Sequence, residues 1–145
     1  MTRLVDLLIS LLARVPHSVI ALIGRIAIGL TFWNSGRTKV DGWNIFHVSD
    51  KTLFLFKEEY RLPMVPPEIA ALAAQAAEHV LSALIIVGLA TRFSALGLFI
   101  MTLVIEIFVY PQAYVLHGTW AAILLMLMKY GPGALSLDRL IYRRF

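Results

Sequence analysis

Residues 67–110 read PEIAALAAQAAEHVLSALIIVGLATRFSALGLFIMTLVIEIFVY. They contain two long apolar runs, about 67–90 and 93–110, separated only by Thr91 and Arg92. At about 1.5 Å per helical residue, each run is long enough to cross a hydrocarbon core of about 30 Å. Proline at the start of the first run suits a first helical turn, where its missing N–H would be unpaired anyway. A turn this tight makes the two segments antiparallel neighbours.

Working outward, Pro16 interrupts the chain before a further apolar run at about 18–34, and Pro111 precedes another at about 115–130. Gly131, Pro132 and Gly133 break the helix before a basic tail from Asp138 to Phe145. The expected fold is therefore all-α, an integral membrane four-helix bundle in one domain over 1–145. Residues 4–15 place Leu4, Leu7, Leu8, Leu11, Leu12 and Val15 at helical spacing, opposite Arg3, Asp6, Ser10 and Arg14. That is an amphipathic helix, suited equally to the membrane interface and to packing on the bundle. No compact apolar core followed by a small-residue cleavage site is present in it, so it does not read as a signal peptide. Between the first two spans, residues 35–66 form the long polar segment. It holds a short extracytoplasmic helix with Ser49 as N-cap, ended by Pro63, Pro66 and Pro67.

Composition agrees. Only 15% of the 145 residues are charged and 59% are hydrophobic, with a mean hydropathy of +0.78, whereas soluble domains carry about 25% charged residues. The absence of cysteine excludes disulfides and thiolate metal ligands. The net charge of +4 lies in residues flanking apolar runs, the pattern of membrane anchoring and contact with lipid rather than nucleic acid. With both termini inside, seven Lys and Arg residues (Arg3, Arg14, Arg92, Lys129, Arg139, Arg143, Arg144) fall on that side against five outside (Arg37, Lys39, Lys51, Lys57, Arg61). Cytoplasmic termini and an outward-facing 35–66 segment follow.

Ionisable residues inside spans mark functional or structural polar networks. Here they are Arg25, Glu78, His79, Glu106 and, at the mouth of the fourth span, His117. Helical rise puts Glu78, Glu106 and His117 at about 18, 20 and 21 Å from the inner ends and Arg25 at about 10 Å. The first three share an outer layer with Lys39, and with Arg25 they are candidate proton-handling residues of an outward-opening polar pocket. Phe32, Trp33, Tyr110 and Trp120 would flank a ring bound there. Three readings are open: a satisfied interhelical network; a site for a quinone or similar head group; and a metal site using Glu78, His79, Glu106 and His117. Adjacent helical residues do not share a face, so His79 need not join Glu78.

The run GRIAIGLTFWNSGRTKV (24–40) carries Arg25, Gly29, Phe32, Gly36 and Lys39; AEHVLSALIIVGLATRFSALGL (77–98) carries Glu78 and a Gly-Leu-x-Thr-Arg sequence ending at Arg92; HGTWAAILLMLMKYGPGALSLDRL (117–140) carries His117, Trp120 and a GPG-x-LSLD close. In this order the three resemble the DoxX family of small bacterial membrane proteins, over residues 18–141. The resemblance implies a four-helix architecture in the bacterial inner membrane. It carries over Arg25, Lys39, Glu78, Arg92 and His117 as matching positions. The family has been linked to quinone-reducing thiosulfate oxidation and to membrane complexes for oxidative-stress defence. Some members accompany gene clusters for metal-binding peptides. The resemblance implies no one reaction. No flavin, haem or iron–sulfur motif occurs here. The leading expectation is thus a subunit or accessory of a quinone-linked redox system, beside a protein partner subunit or as a homo-oligomer. A non-enzymatic scaffold in metal-peptide maturation or export, and a small proton-coupled transporter, are the alternatives.

Overall fold

A computed structural model describes residues 2–42, 44, 45, 47–60 and 62–142. Among them every regular element is helical; Val40 and Val48 alone form an isolated bridge. The helices are α1 (Thr2–Leu12), α2 (His17–Arg37), α3 (Asp50–Glu58), α4 (Pro67–Val87), α5 (Thr91–Val104), α6 (Tyr114–Tyr130) and α7 (Leu137–Tyr142). A π-helical turn, Ile105–Val109, continues α5, and a 3-10 turn, Pro111–Ala113, leads into α6.

Among the described residues three helices are long and apolar enough to cross a membrane: His17–Arg37, Pro67–Val87 and Thr91–Val109. The expected first span thus extends by one residue at its start and three at its end, while the second stops short at Val87. The fourth expected span, α6, has 17 residues, shorter than the usual span of about 20. α2 packs on α4, α4 on α5, and α5 on α6, which also touches α2.

The distribution of side chains is that of a protein solvated by lipid. Arg25, Gln75, Glu78, His79, Ser82, Ser94, Thr102 and His117 are buried, while Ile23, Leu30, Leu72, Val80, Ile100 and Leu103 are exposed. Water would favour the reverse; hydrocarbon favours this arrangement, with polar groups turned toward protein partners. The apolar core gathers Ala21, Ile28, Phe32, Ile85, Leu98, Leu124 and Leu127.

Gly36 allows α2 and α4 to meet, since a Cβ there would lie 2.8 Å from the His79 ring. At the far end of α4, Gly88 takes the left-handed conformation (φ 73°), ending the helix as glycine commonly does. A Cβ at Gly88 would collide with the Arg25 guanidinium. Ser49 caps α3 as expected, its Oγ accepting the Thr52 N–H at 3.2 Å. The side chains of residues 3–12 are all exposed, so α1 leaves its leucine stripe uncovered rather than packing it on the bundle. The basic tail begins as a helix, α7. Arg61, Arg143 and Arg144, used in the charge count, lie outside the described residues.

Candidate functional site

The two ends of the helix assembly hold different polar clusters. At the end carrying residues 38–66, Lys39 leaves the C-terminus of α2 and reaches Glu78 on α4. Lys39 Nζ lies 2.8 Å from Glu78 Oε2 and donates to Oε1 at 3.0 Å. Ser35, one turn before Lys39, donates to the same Oε1 at 3.1 Å. The Glu78 side chain is 2% exposed and that of Lys39 15%, so the pair is held largely away from solvent. Sequence spacing had not singled out Ser35; its i, i+4 relation to Lys39 is the signal that could have found it.

Across the same end, His117 on α6 and Glu106 in the π-helical turn make a second pair, Nδ1 to Oε2 at 2.5 Å. A π turn winds one residue more than an α turn, and such turns recur at functional sites. With Nδ1–H donating to the carboxylate, Nε2 is the imidazole atom left to exchange a proton. Trp120 packs on His117 (centroids 5.0 Å) and on Phe32 (5.3 Å).

Lys39, Glu78 and His117 line one cavity of about 670 Å³, together with Phe32, Tyr110 and Trp120. Ala70, Ala73, Ala74, Ala77 and Gly97 keep its α4–α5 wall thin. Tyr60, after α3, meets Tyr110 hydroxyl to hydroxyl at 2.5 Å, and both line the cavity. Burial, then the bond to Tyr110, pushes the Tyr60 hydroxyl well above the usual tyrosine range. Its partner is fifty residues away, and no local pattern announces that contact.

Three expected pocket members do not line it: Glu106 reaches it only through its bond to His117, and Arg25 and Trp33 sit elsewhere. Arg25 is buried toward the α4–α5 turn, donating from Nη2 to the Leu135 carbonyl at 2.5 Å; its Nε and Nη1 have no partner among the described residues. Trp33 lies against His79, ring centroids 5.2 Å apart. His79 itself bonds Gln75 O through Nδ1 (2.9 Å) and does not line the cavity. The proposed metal set Glu78, His79, Glu106 and His117 is therefore corrected. Glu78 is taken by Lys39, His79 turns toward Trp33 as adjacent helical positions dictate, and Glu106 is paired with His117. No group of three or more His, Asp or Glu side chains arranged to hold a metal ion occurs among the described residues.

The turn end is tied by the GPG-x-LSLD close. Asp138 accepts the N–H groups of Ala90 (2.7 Å) and Thr91 (3.0 Å) through its two carboxylate oxygens. Its own N–H donates to Gly88 O at 2.8 Å, and Ser18 Oγ accepts the Ala134 N–H at 2.8 Å. The family-like Arg25 and LSLD residues thus hold the backbone together at the end remote from the cavity.

The profile of the DoxX family matches residues 20–111. That stretch includes Arg25, Lys39, Glu78, Arg92 and Glu106, and it stops short of His117 and of the 18–141 coverage expected. An uncharacterized protein of Haemophilus influenzae is 33% identical over 136 residues, covering 88% of this chain and 86% of its own. No solved structure matches. With nearly two-thirds of its length matched, and with helices apolar enough to cross a bilayer, this chain is a membrane protein belonging to the DoxX family.

Proposed function

We propose that this chain is a four-span inner-membrane protein with cytoplasmic termini, whose cavity binds the head group of a lipid-soluble quinone and handles its protons. α6 would serve as the fourth span, and the chain would form one domain. The observation that carries the reading is one apolar-walled cavity lined by the Lys39–Glu78 pair and by His117, whose imidazole is bonded to Glu106 outside the lining. Ligand sites typically combine such a cavity with a few converging polar groups. Phe32 and Trp120 supply aromatic surface for a planar ring, and an apolar wall suits an isoprenoid tail.

In this reading Lys39 donates a hydrogen bond to a ring oxygen, held in place by Glu78 and Ser35. His117 Nε2 takes or gives a proton, with Glu106 fixing the imidazole through Nδ1. A bound quinone would supply the two-electron chemistry. The electrons would come through a partner subunit, since no redox-cofactor motif occurs in this sequence. The position of Arg92, Lys129 and Arg139 at the turn end supports a cytoplasmic assignment for that end.

The test is quinone titration of the protein in nanodiscs, followed by quenching of tryptophan fluorescence. Saturable quenching is expected, weakened about tenfold or more by His117→Ala and by Glu78→Gln, the loss of one charge-assisted contact. Absent quenching, or quenching unchanged in both variants, would sink the proposal.

A further inference from the structure

A second cavity, of about 400 Å³, opens at the turn end and is lined by His17, Arg92, Tyr130, Asp138 and Arg139, among others. Its charge is unbalanced. Both carboxylate oxygens of Asp138 already accept backbone N–H groups, and neither arginine has an acidic partner among the described residues. Arg92 is exposed, and its guanidinium lies over Gly131, about 3.5 Å from where a Cβ would stand. Lys129 adds a third cation nearby, its Nζ 4.9 Å from the Tyr130 ring. His17 Nε2 sits 3.2 Å from the Gly131 carbonyl.

The level of this cavity is informative. His17 begins α2, Arg92 is the second residue of α5 and Tyr130 ends α6. The cations therefore sit where three apolar helices end, at the depth of lipid phosphates. Around them the surface is apolar: Phe93 is 79% exposed, Leu135 61% and Leu140 63%. A cationic recess beside exposed apolar side chains matches a molecule with a phosphate head and acyl chains. Basic pockets of this kind between membrane helices bind anionic head groups.

We propose that this recess is a binding site for an anionic phospholipid, with Arg92 and Arg139 holding the phosphate and Phe93 and Leu135 contacting the acyl chains. The site is separate from the quinone cavity and does not depend on it. Arginine suits it because its planar fork can bind two phosphate oxygens at once.

The experiment is native mass spectrometry of the full chain in detergent, titrated with phosphatidylglycerol or with phosphatidylcholine of the same acyl chains. Phosphatidylglycerol should give a retained one-to-one adduct that phosphatidylcholine does not. Arg92→Gln and Arg139→Gln should each weaken it about fivefold and together about twenty-five-fold. The double variant Lys51→Gln/Lys57→Gln, which removes as much charge from the other end, should leave it unchanged. Circular dichroism of each variant checks that the helices persist, and Arg92→Lys, which keeps the charge but loses the fork, should weaken binding less than Arg92→Gln does. Equal retention of both lipids would overturn the proposal, as would an adduct indifferent to both arginine changes or equally weakened by the lysine changes. Displacement of the lipid by millimolar inorganic phosphate would also overturn it, making the site one for a free anion.

Discussion

The two ends of this molecule use charged side chains in opposite ways. At the turn end, Arg25 and Asp138 spend their hydrogen bonds on the backbone: the Leu135 carbonyl for one, the Ala90 and Thr91 amides for the other. Such contacts fix where the chain goes. At the cavity end the partners are other side chains, Lys39 with Glu78 and Glu106 with His117. Contacts between side chains can be exchanged for contacts with a ligand without moving the main chain. A buried charge in a membrane helix is therefore a weak guide to function until its partner is known.

The largest expected effect comes from breaking the cavity-end pair on one side only. Lys39→Met leaves the Glu78 carboxylate buried without its cation, and stability should fall by about 3–5 kcal/mol. The double variant Lys39→Met/Glu78→Leu should recover most of that loss in a thermal melt in detergent while still failing to bind quinone. A double variant as unstable as the single one would show that this pair is architectural, like its counterparts at the other end.

Gly88→Val tests the turn end. It combines left-handed backbone strain with a collision against Arg25, together about 3 kcal/mol. Quinone affinity of the surviving folded fraction should be unchanged; a proportional loss of affinity would erase the distinction between the ends. Asp138→Ala removes a cap of two amides and should cost about 1–2 kcal/mol by the same melt, again without affecting quinone affinity. The smallest effect concerns Tyr60, whose hydroxyl should stay neutral past the usual tyrosine value of about 10. A tyrosine held neutral in the fold stabilises it fully below that pH, and the contribution fades as pH rises beyond it. Ultraviolet titration of wild type against Tyr60→Phe should assign a late phenolate transition to this residue, and its appearance at ordinary pH would break the Tyr60–Tyr110 contact.

What could be read from the sequence was what depends on period and length. Two helices expected over about 67–90 and 93–110, observed over 67–87 and 91–109, follow from their apolar runs, and the Ser49 cap follows from its residue type. What could not be read depends on phase and on long-range contact. Glu78 and His79 are adjacent, and only packing against Gly36 and Trp33 decides which of them faces the cavity. Arg25 has the same residue type and burial as a site residue, and its role became visible only when the 131–138 close was seen folded back beneath it. The Haemophilus relative and the family match show the family, while neither brings a stated activity.

The π-helical turn at Ile105–Val109 has a consequence for how this cavity can vary. One residue more than an α-helix requires is wound into that turn, so the orientation of everything after it is a matter of chain length. Deleting a single residue there would turn the following backbone by about 100° and draw it back about 1.5 Å. Tyr110 would be carried away from Tyr60, and the geometry linking Glu106 to the next helix would be reset. Point substitutions can retune the walls of this chamber, whereas a one-codon deletion would reshape its mouth in a single genetic step.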